Sequence, residues 1–196
     1  MKYKIYKKLI IGSANFDKNY KTNSQDKSLS IIKIKEILKY AQKNRITQID
    51  TAVGYKNSEK LIGNFLKTNK KKKDWKIISK IKLNKQKNIH KIILDIIKRL
   101  NQKPYAILAN NLKTYKNKKF HSTLDKFPRI RRGISVYEKN ETIEAINFRV
   151  PDIIQFPINL LDKRFEKNKF LKYLKNKNIE THARSIFLKG MLHHQN

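Results

Sequence analysis

Cysteine is absent from this sequence, and long hydrophobic runs and acidic residues are scarce. Without cysteine, the 196-residue chain has no disulfide framework and no thiolate metal site. Its longest apolar runs are short, as in Leu9-Ile10-Ile11, far below the roughly 20 residues of a transmembrane helix. The basic stretch 1–12 has too short an apolar run for a signal peptide and predicts a first strand. These absences predict a soluble cytoplasmic protein with no membrane partner.

The shortage of acidic residues leaves a formal net charge of +32, from 47 Lys and Arg against 15 Asp and Glu. Such a charge is typical of proteins that bind phosphate backbones. The excess is almost all lysine, however, and its densest run, Lys70 to Lys73, lies where a solvated loop is predicted. A basic nucleic-acid-binding protein is therefore a lesser alternative, and no specific nucleic-acid partner is expected.

Short apolar strands alternate with amphipathic helices along the chain. The helix predicted over 30–44 has apolar residues such as Ile34 and Leu38 at helical spacing. The predicted strands occupy 9–16, 46–52, 75–83, 105–111, 131–138, 151–159 and 179–187. Further helices are predicted from Asn57, over 88–101, 141–148 and 170–178, and as a poorly defined segment before 131. No segment has the composition of a linker, so one domain is expected over 1–196.

This alternation predicts an α/β fold, a parallel sheet covered by helices. Both a doubly wound open sheet and a (β/α)8 barrel of the TIM type fit the pattern. An open sheet that binds a nucleotide usually has a glycine-rich turn after strand one, but Gly12 stands alone there. In a barrel, the chemistry lies at the carboxyl ends of several strands. Polar residues do lie at or near the predicted strand ends: Asp50, Tyr55, Lys80, Asn110, Ser135, Gln155 and Asn159.

An acid, a phenol and an ammonium group fall close to predicted strands two and three. Tyrosine is a weak acid at neutral pH, but a nearby cation stabilises the phenolate. Lys80 is a candidate for that cation, and Asp50 for the carboxylate that keeps Lys80 charged and in place. Tyr55 could then give a proton to a carbonyl oxygen while hydride reaches the carbonyl carbon. Because lysine is so abundant, a chance placement of Lys80 beside an ordinary turn also fits the sequence.

The stretch IDTAVGYKNSEKLIG (49–63) resembles the strand-two signature of the aldo-keto reductases, approximately I-D-T-A-x-x-Y-G-x-S-E-x-x-L-G. The residues in register with that signature are Asp50, Thr51, Ala52, Tyr55, Ser58, Glu59 and Gly63. Further stretches resemble other strands of the family: LIIGSANF, IISKI, RRGISVYE, DIIQFPINLLDKRF and HARSIFLKGML. The resemblance therefore covers nearly the whole chain.

This resemblance implies a (β/α)8 barrel that binds NADPH, or less often NADH, and reduces aldehyde or ketone groups of small molecules. It places the family's catalytic acid, proton-donating tyrosine and lysine at Asp50, Tyr55 and Lys80. The residues that hold the nicotinamide carboxamide fall on Ser135 and Gln155. The other cofactor-binding residues that the resemblance implies are Gly12, Ser13, Arg184 and Ser185.

The sequence also departs from the family pattern. The family's catalytic histidine aligns with Asn110, whose amide can hydrogen-bond a carbonyl but does not titrate at neutral pH. Lys56 replaces a glycine, which would strain the backbone if that position needs a positive φ. Arg184 replaces an aromatic residue that often stacks on the nicotinamide. These departures keep open the alternative of a non-catalytic, degenerate remnant of the family.

The seventh predicted strand lies just before the last residue, Asn196. A barrel of this type usually has about 250 residues. The eighth unit, with its clamp on the cofactor's adenosine end, is therefore expected to be missing. Strands one and seven would then be open edges, through which the chain could form oligomers.

The histidines give no metal-binding pattern. His193 and His194 are adjacent, and no further ligand follows the spacing of a metal site. The other histidines, His90, His121 and His182, are expected to be structural or solvated. No metal ion is therefore expected.

Overall fold

The computed structural model describes residues 8–16, 29–83, 88–166 and 169–188. Its strands are β1 (Ile11–Gly12), β2 (Gln48–Asp50), β3 (Lys76–Ile81), β4 (Ala106–Ala109), β5 (Arg131–Ser135), β6 (Ile153–Pro157) and β7 (Glu180–Arg184). Its α-helices are α1 (Ile31–Lys43), α2 (Ser58–Lys67), α3 (Ile89–Leu100), α4 (Leu112–Tyr115), α5 (Lys118–Asp125), α6 (Lys139–Phe148) and α7 (Phe170–Asn176). Short 3-10 helices occupy Ala14–Phe16 and Lys72–Asp74.

The strands follow one another in the sheet in sequence order, from β1 to β7. The pairs β1–β2, β2–β3, β5–β6 and β6–β7 are parallel. A doubly wound sheet reverses its strand order partway, whereas a barrel keeps it. The order therefore excludes the open-sheet alternative and confirms the (β/α)8 type, with seven strands among the described residues.

The predicted strands are longer than the observed ones, whereas the first predicted helix is nearly exact. Within predicted strand one, 9–16, only β1 forms a strand, because Ala14–Phe16 forms a 3-10 helix. The helix predicted over 30–44 is α1, which begins after Ser30, whose side chain accepts a hydrogen bond from the Lys33 amide. The poorly defined helix before β5 is two helices, because Asn117 caps α5 separately.

The chain divides into two compact units, Met1–Ile107 and Leu108–Asn196, and the expected single domain remains a prediction. The core of the first unit has apolar residues of α1, α2 and β3, among them Leu38, Leu66 and Ile77. Helices α2 and α3 pack so closely that a Cβ at Gly63 would lie 1.8 Å from the Arg99 carbonyl oxygen. Only glycine permits this close approach of α2 to α3.

The second unit has a core rich in aromatic residues. The rings of Phe156 and Phe165 stack with their centroids 4.4 Å apart, and Tyr115 and Phe120 are fully buried. These buried rings come from β6, from α4 and α5, and from the segment that follows β6. Within the described ranges, no helix is long and apolar enough to cross a membrane.

Candidate functional site

Two neighbouring strands bring Asp50 and Lys80 into contact in the first unit. Asp50 ends β2, and the backbone of Val53 continues beyond it to donate a hydrogen bond to the Lys80 carbonyl, 3.0 Å away. Lys80 Nζ lies 2.5 Å from Oδ2 and 2.6 Å from Oδ1 of Asp50. The two side chains are 5% and 17% exposed, so this is a largely buried ion pair.

Tyr55 lies beside this ion pair in the loop between β2 and α2. Its ring centroid is 5.7 Å from Lys80 Nζ, and its side chain is half-buried. Two turns set its backbone: the Tyr55 amide donates to the Ala52 carbonyl, and the Ser58 amide donates to the Tyr55 carbonyl. The structure therefore brings together three of the predicted residues, an acid, an ammonium group and a phenol.

The residue after Tyr55 has a positive φ, the backbone conformation in which a side chain is strained. Lys56 has a φ of 32°, in the range that favours glycine. The loop that carries Tyr55 is therefore held in a strained conformation, which the surrounding hydrogen bonds must stabilise.

A cluster of buried hydroxyl groups lies under this loop. Ser58 Oγ is 2.7 Å from Ser13 Oγ and 3.2 Å from Thr51 Oγ1, and it also contacts the Ser13 carbonyl oxygen at 3.1 Å. All three residues are fully buried. The cluster joins the segments after β1 and β2 to the start of α2. Ser13 thus has a partner inside the protein, and its predicted contact with a cofactor remains a prediction.

A second buried network, centred on Glu59, holds β3 in place. Glu59 accepts hydrogen bonds from Ser79 Oγ at 2.6 Å and from Arg99 Nε at 2.7 Å. Ser79 immediately precedes Lys80, so this network positions the strand that carries the ammonium group. Glu59 had no predicted role, although its place in the 49–63 signature was a signal for one.

In the second unit, Ser135 and Gln155 meet at the ends of β5 and β6. The two residues are register partners, and Ser135 Oγ donates to Gln155 Oε1 at 3.3 Å. Both are buried. A hydroxyl and an amide each offer a donor and an acceptor, which is the set that a carboxamide requires. The chemistry of this pair therefore fits the carboxamide of a nicotinamide.

Arg184, at the end of β7, stacks on an aromatic ring that the sequence analysis did not single out. The guanidinium carbon lies 4.0 Å from the ring centroid of Tyr137, and one terminal nitrogen donates to the Val136 carbonyl at 3.2 Å. Arg184 Nε is buried and has no hydrogen-bond partner among the described residues. Tyr137 lies two residues after the end of β5, and an aromatic residue so close to a strand end was the available signal. The next residue after the arginine, Ser185, is exposed with a φ of 58°.

Two predicted residues lie at strand ends with space around them. Asn110 follows β4 directly and is exposed. Gly12 ends β1, and a Cβ built there would meet no atom within 4 Å. The predicted residues are divided between the units: Gly12, Ser13, Asp50, Tyr55 and Lys80 in the first, and Asn110, Ser135, Gln155, Arg184 and Ser185 in the second.

The described histidines have different surroundings. His90 is exposed, whereas His182 is buried with its Nε2 2.7 Å from Glu180 Oε1. His121 is buried with its Nε2 2.6 Å from the Tyr115 carbonyl oxygen, and burial lowers the pKa of its imidazole. Among the described residues, no three His, Cys, Asp or Glu side chains are grouped to hold a metal. The two terminal histidines, 193 and 194, lie outside the described residues.

Sequential parallel strands with polar side chains at their carboxyl ends define the class of (β/α)8 barrel proteins. The profile of the Aldo/keto reductase family matches residues 8–196. The chain therefore belongs to the aldo/keto reductase family, a family of oxidoreductases that use nicotinamide cofactors. A comparison with curated protein sequences gave no significant match.

Several solved structures share the fold at low sequence identity. A protein of Pseudomonas aeruginosa assigned to the aldo-keto reductases has a TM-score of 0.74 and 20% identity, over 91% of this chain and 73% of its own. A glycerol dehydrogenase from Gluconobacter oxydans has a TM-score of 0.71 and 19% identity, over 94% of this chain and 61% of its own. An aldo/keto reductase from Brucella melitensis has a TM-score of 0.67 and 16% identity, over 92% of this chain and 68% of its own. This chain thus spans about two thirds of the length of these structures.

Proposed function

We propose that this protein is an NADPH-dependent oxidoreductase that reduces aldehyde or ketone groups of small molecules, with Tyr55 as the proton donor. The observation that carries the proposal is the largely buried contact between Lys80 and Asp50, with the Tyr55 ring beside it. A buried lysine is rare without a partner, and a buried ion pair next to a phenol is a costly arrangement for structure alone.

Each of these side chains has a distinct role in the proposed reaction. A bound nicotinamide cofactor supplies the hydride that reduces the carbonyl carbon. Tyr55 gives its phenolic proton to the carbonyl oxygen, so that the product is an alcohol. The Lys80 ammonium group stabilises the phenolate that remains, and Asp50 holds that ammonium group in place through its two short contacts.

The cofactor proposal is supported by the polar pair in the second unit. Ser135 and Gln155 would hold the carboxamide, since their donors and acceptors complement it. Gly12, with open space beside it, would let a cofactor approach the backbone at the end of β1. NADPH is proposed ahead of NADH because the family resemblance favours it.

The proposal is tested by changing Tyr55 to phenylalanine and measuring NADPH consumption with a panel of aldehydes and ketones. Tyr55→Phe should lower kcat at least about 100-fold, the usual size of a lost general acid, while NADPH binding is kept. Tyr40→Phe is the matched control, because Tyr40 is a 71% exposed residue of α1. Equal turnover in wild type and Tyr55→Phe would refute the assignment of Tyr55.

A second candidate function is that of a non-catalytic member of the family. Asn110 favours it, because an amide in the place of the family's histidine cannot exchange a proton at neutral pH. The strained φ of Lys56 next to Tyr55 also favours it. In this case the wild type would bind NADPH without turnover, and Asn110→His, alone or with Lys56→Gly, would be needed to produce activity. Turnover by the wild type that Tyr55→Phe abolishes would exclude the non-catalytic alternative.

Oligomer formation through the sheet edges is a further proposal, and a cytoplasmic location remains a prediction. Strands β1 and β7 are the first and last in the strand order, and Thr181 and Ala183 of β7 are exposed. An exposed strand edge can pair with a second copy. Light scattering over a range of concentrations would detect such pairing, and a constant monomer mass would contradict it.

A further inference from the structure

We infer that Arg184 makes this protein bind the reduced nicotinamide cofactor more tightly than the oxidised one. The physical basis is that the oxidised nicotinamide ring carries a positive charge and the reduced ring carries none. The inference rests on the proposed function, in which Ser135 and Gln155 hold the carboxamide. It goes further by naming the residue that decides which redox form the site retains.

The strand register places Arg184 next to that carboxamide site. Ser135 pairs with Gln155, and Gln155 pairs with His182. Paired residues in a parallel sheet point to the same face, and so do alternate residues along one strand. Arg184 is two residues beyond His182, which puts it on the face of Gln155, roughly 7 Å further towards the carboxyl end of the strands. A ring held by its carboxamide at Ser135 and Gln155 is thus within range of the guanidinium charge.

The guanidinium group is held in place by two contacts. It stacks on the Tyr137 ring at 4.0 Å and donates to the Val136 carbonyl at 3.2 Å. These contacts restrict Arg184, so its charge cannot simply swing away from a cationic ligand. Its Nε remains buried and unpartnered within the described residues, so the side chain is not satisfied by the protein alone.

The charge on Arg184 is also uncompensated among the described residues. The nearby carboxylates are engaged elsewhere, since Glu138 and Asp162 pair with Arg164, and Glu180 pairs with Arg131. Arginine does not deprotonate in proteins, so this positive charge is present at every working pH. Two positive charges in a partly buried site repel each other much more strongly than they would in bulk water.

The ratio of the two dissociation constants removes the contributions that both redox forms share. The overall charge of +32 also disfavours the cationic ring, so the share of Arg184 is measured by comparing Arg184→Gln with a control variant that loses the same charge elsewhere. The phosphate and adenosine groups are the same in both redox forms, so their attraction to lysines cancels in the ratio. We expect the Kd of NADP⁺ to exceed that of NADPH by about tenfold or more, since 1.4 kcal/mol of repulsion suffices for tenfold. The reduction potential of the bound NADP⁺/NADPH couple would then be about 30 mV more positive than that of the free couple.

The test is to titrate NADPH and NADP⁺ separately into the full chain by isothermal calorimetry, at fixed salt and pH. Arg184→Gln should reduce the ratio of the two constants at least about threefold by weakening discrimination against NADP⁺. Arg184→Lys keeps the positive charge, so the ratio of the two dissociation constants should stay close to that of the wild type. Arg129→Gln is the matched control, because it removes one positive charge from an exposed arginine of the same unit and leaves the pairing of Glu138 and Asp162 with Arg164 intact, so it should leave the ratio unchanged.

The possible outcomes separate this inference from the proposed function. A wild-type ratio close to one overturns the inference, even if Arg184→Gln does not fold. Equal ratios in wild type and Arg184→Gln also overturn it, and so does a fall of the ratio in Arg129→Gln as large as the fall in Arg184→Gln. Failure of the wild type to bind either form overturns the proposed function itself, and this inference with it.

Discussion

The Lys80 ammonium group contacts both carboxylate oxygens of Asp50, at 2.5 and 2.6 Å, in a largely buried part of the first unit. Neighbouring parallel strands create this contact, since Asp50 ends β2 and Lys80 lies within β3. Ion pairs of this kind cost desolvation free energy and are weak evidence for stability alone. The ring of Tyr55 lies beside this pair, with its centroid 5.7 Å from Lys80 Nζ.

The first prediction concerns the stability of this ion pair. Asp50→Asn should lower the free energy of unfolding by about 3 kcal/mol, because it strands a buried charge. Lys80→Met should lower the free energy of unfolding by less. It leaves the Asp50 carboxylate unpaired, but Asp50 is 17% exposed and water can reach it, whereas Lys80 is 5% exposed. Urea unfolding of both variants and of the double variant checks this order. Equal costs that simply add in the double variant would show that the two side chains are not coupled.

The second prediction concerns the Glu59 network. Arg99→Met should lower the free energy of unfolding by about 3 kcal/mol, because it leaves the carboxylate of Glu59 buried with Ser79 as its one remaining partner among the described residues. Glu59→Gln should cost less, since Arg99 is 33% exposed and can be solvated when its partner is lost. Urea unfolding gives both values. A larger cost for Glu59→Gln than for Arg99→Met would contradict this account of the network.

The third prediction tests the close packing of α2 and α3. Gly63→Ala should lower the free energy of unfolding by about 3 kcal/mol, because the new Cβ would overlap the Arg99 carbonyl and force the helices apart. Gly54→Ala is the control, since a Cβ there meets no atom within 4 Å. Thermal melts of the two variants make the comparison. Similar melting temperatures for both would mean that the helices can separate at little cost.

The fourth prediction is a pH dependence of stability that comes from His121. Burial holds the pKa of His121 below its usual value, so between that lowered pKa and about 6.5 the unfolded chain binds a proton that the folded chain does not. Stability from this residue is therefore present above pH 6.5 and is lost as the pH falls through the window. Urea unfolding of wild type and His121→Gln at pH 7.5 and 5.5 measures it. The variant should lose less stability than wild type, and an equal loss would assign the effect elsewhere.

Most of the strand and helix order could be predicted from the sequence, because apolar periodicity depends on local spacing. The helix over 30–44 was predicted almost exactly for this reason, and the parallel arrangement followed from the alternation. The limits of the strands could not be predicted as well. Residues at the end of a strand form turns instead of strand hydrogen bonds, and these turns depend on tertiary contacts. Thus 9–16 contains the short β1 and then a 3-10 helix.

The sequence by itself determined the family, and it identified Asp50, Tyr55 and Lys80 as a group, because a signature with fixed spacing brings its polar residues to neighbouring strand ends. Only the tertiary structure decided that the buried Glu59 accepts hydrogen bonds from Ser79 and Arg99, and that Ser13 is hydrogen-bonded to Ser58. It also decided that Arg184 stacks on Tyr137, which lies 47 positions earlier in the chain. These contacts join residues far apart in the chain, and local pattern carries no information on which distant side chain satisfies a buried charge or hydroxyl group.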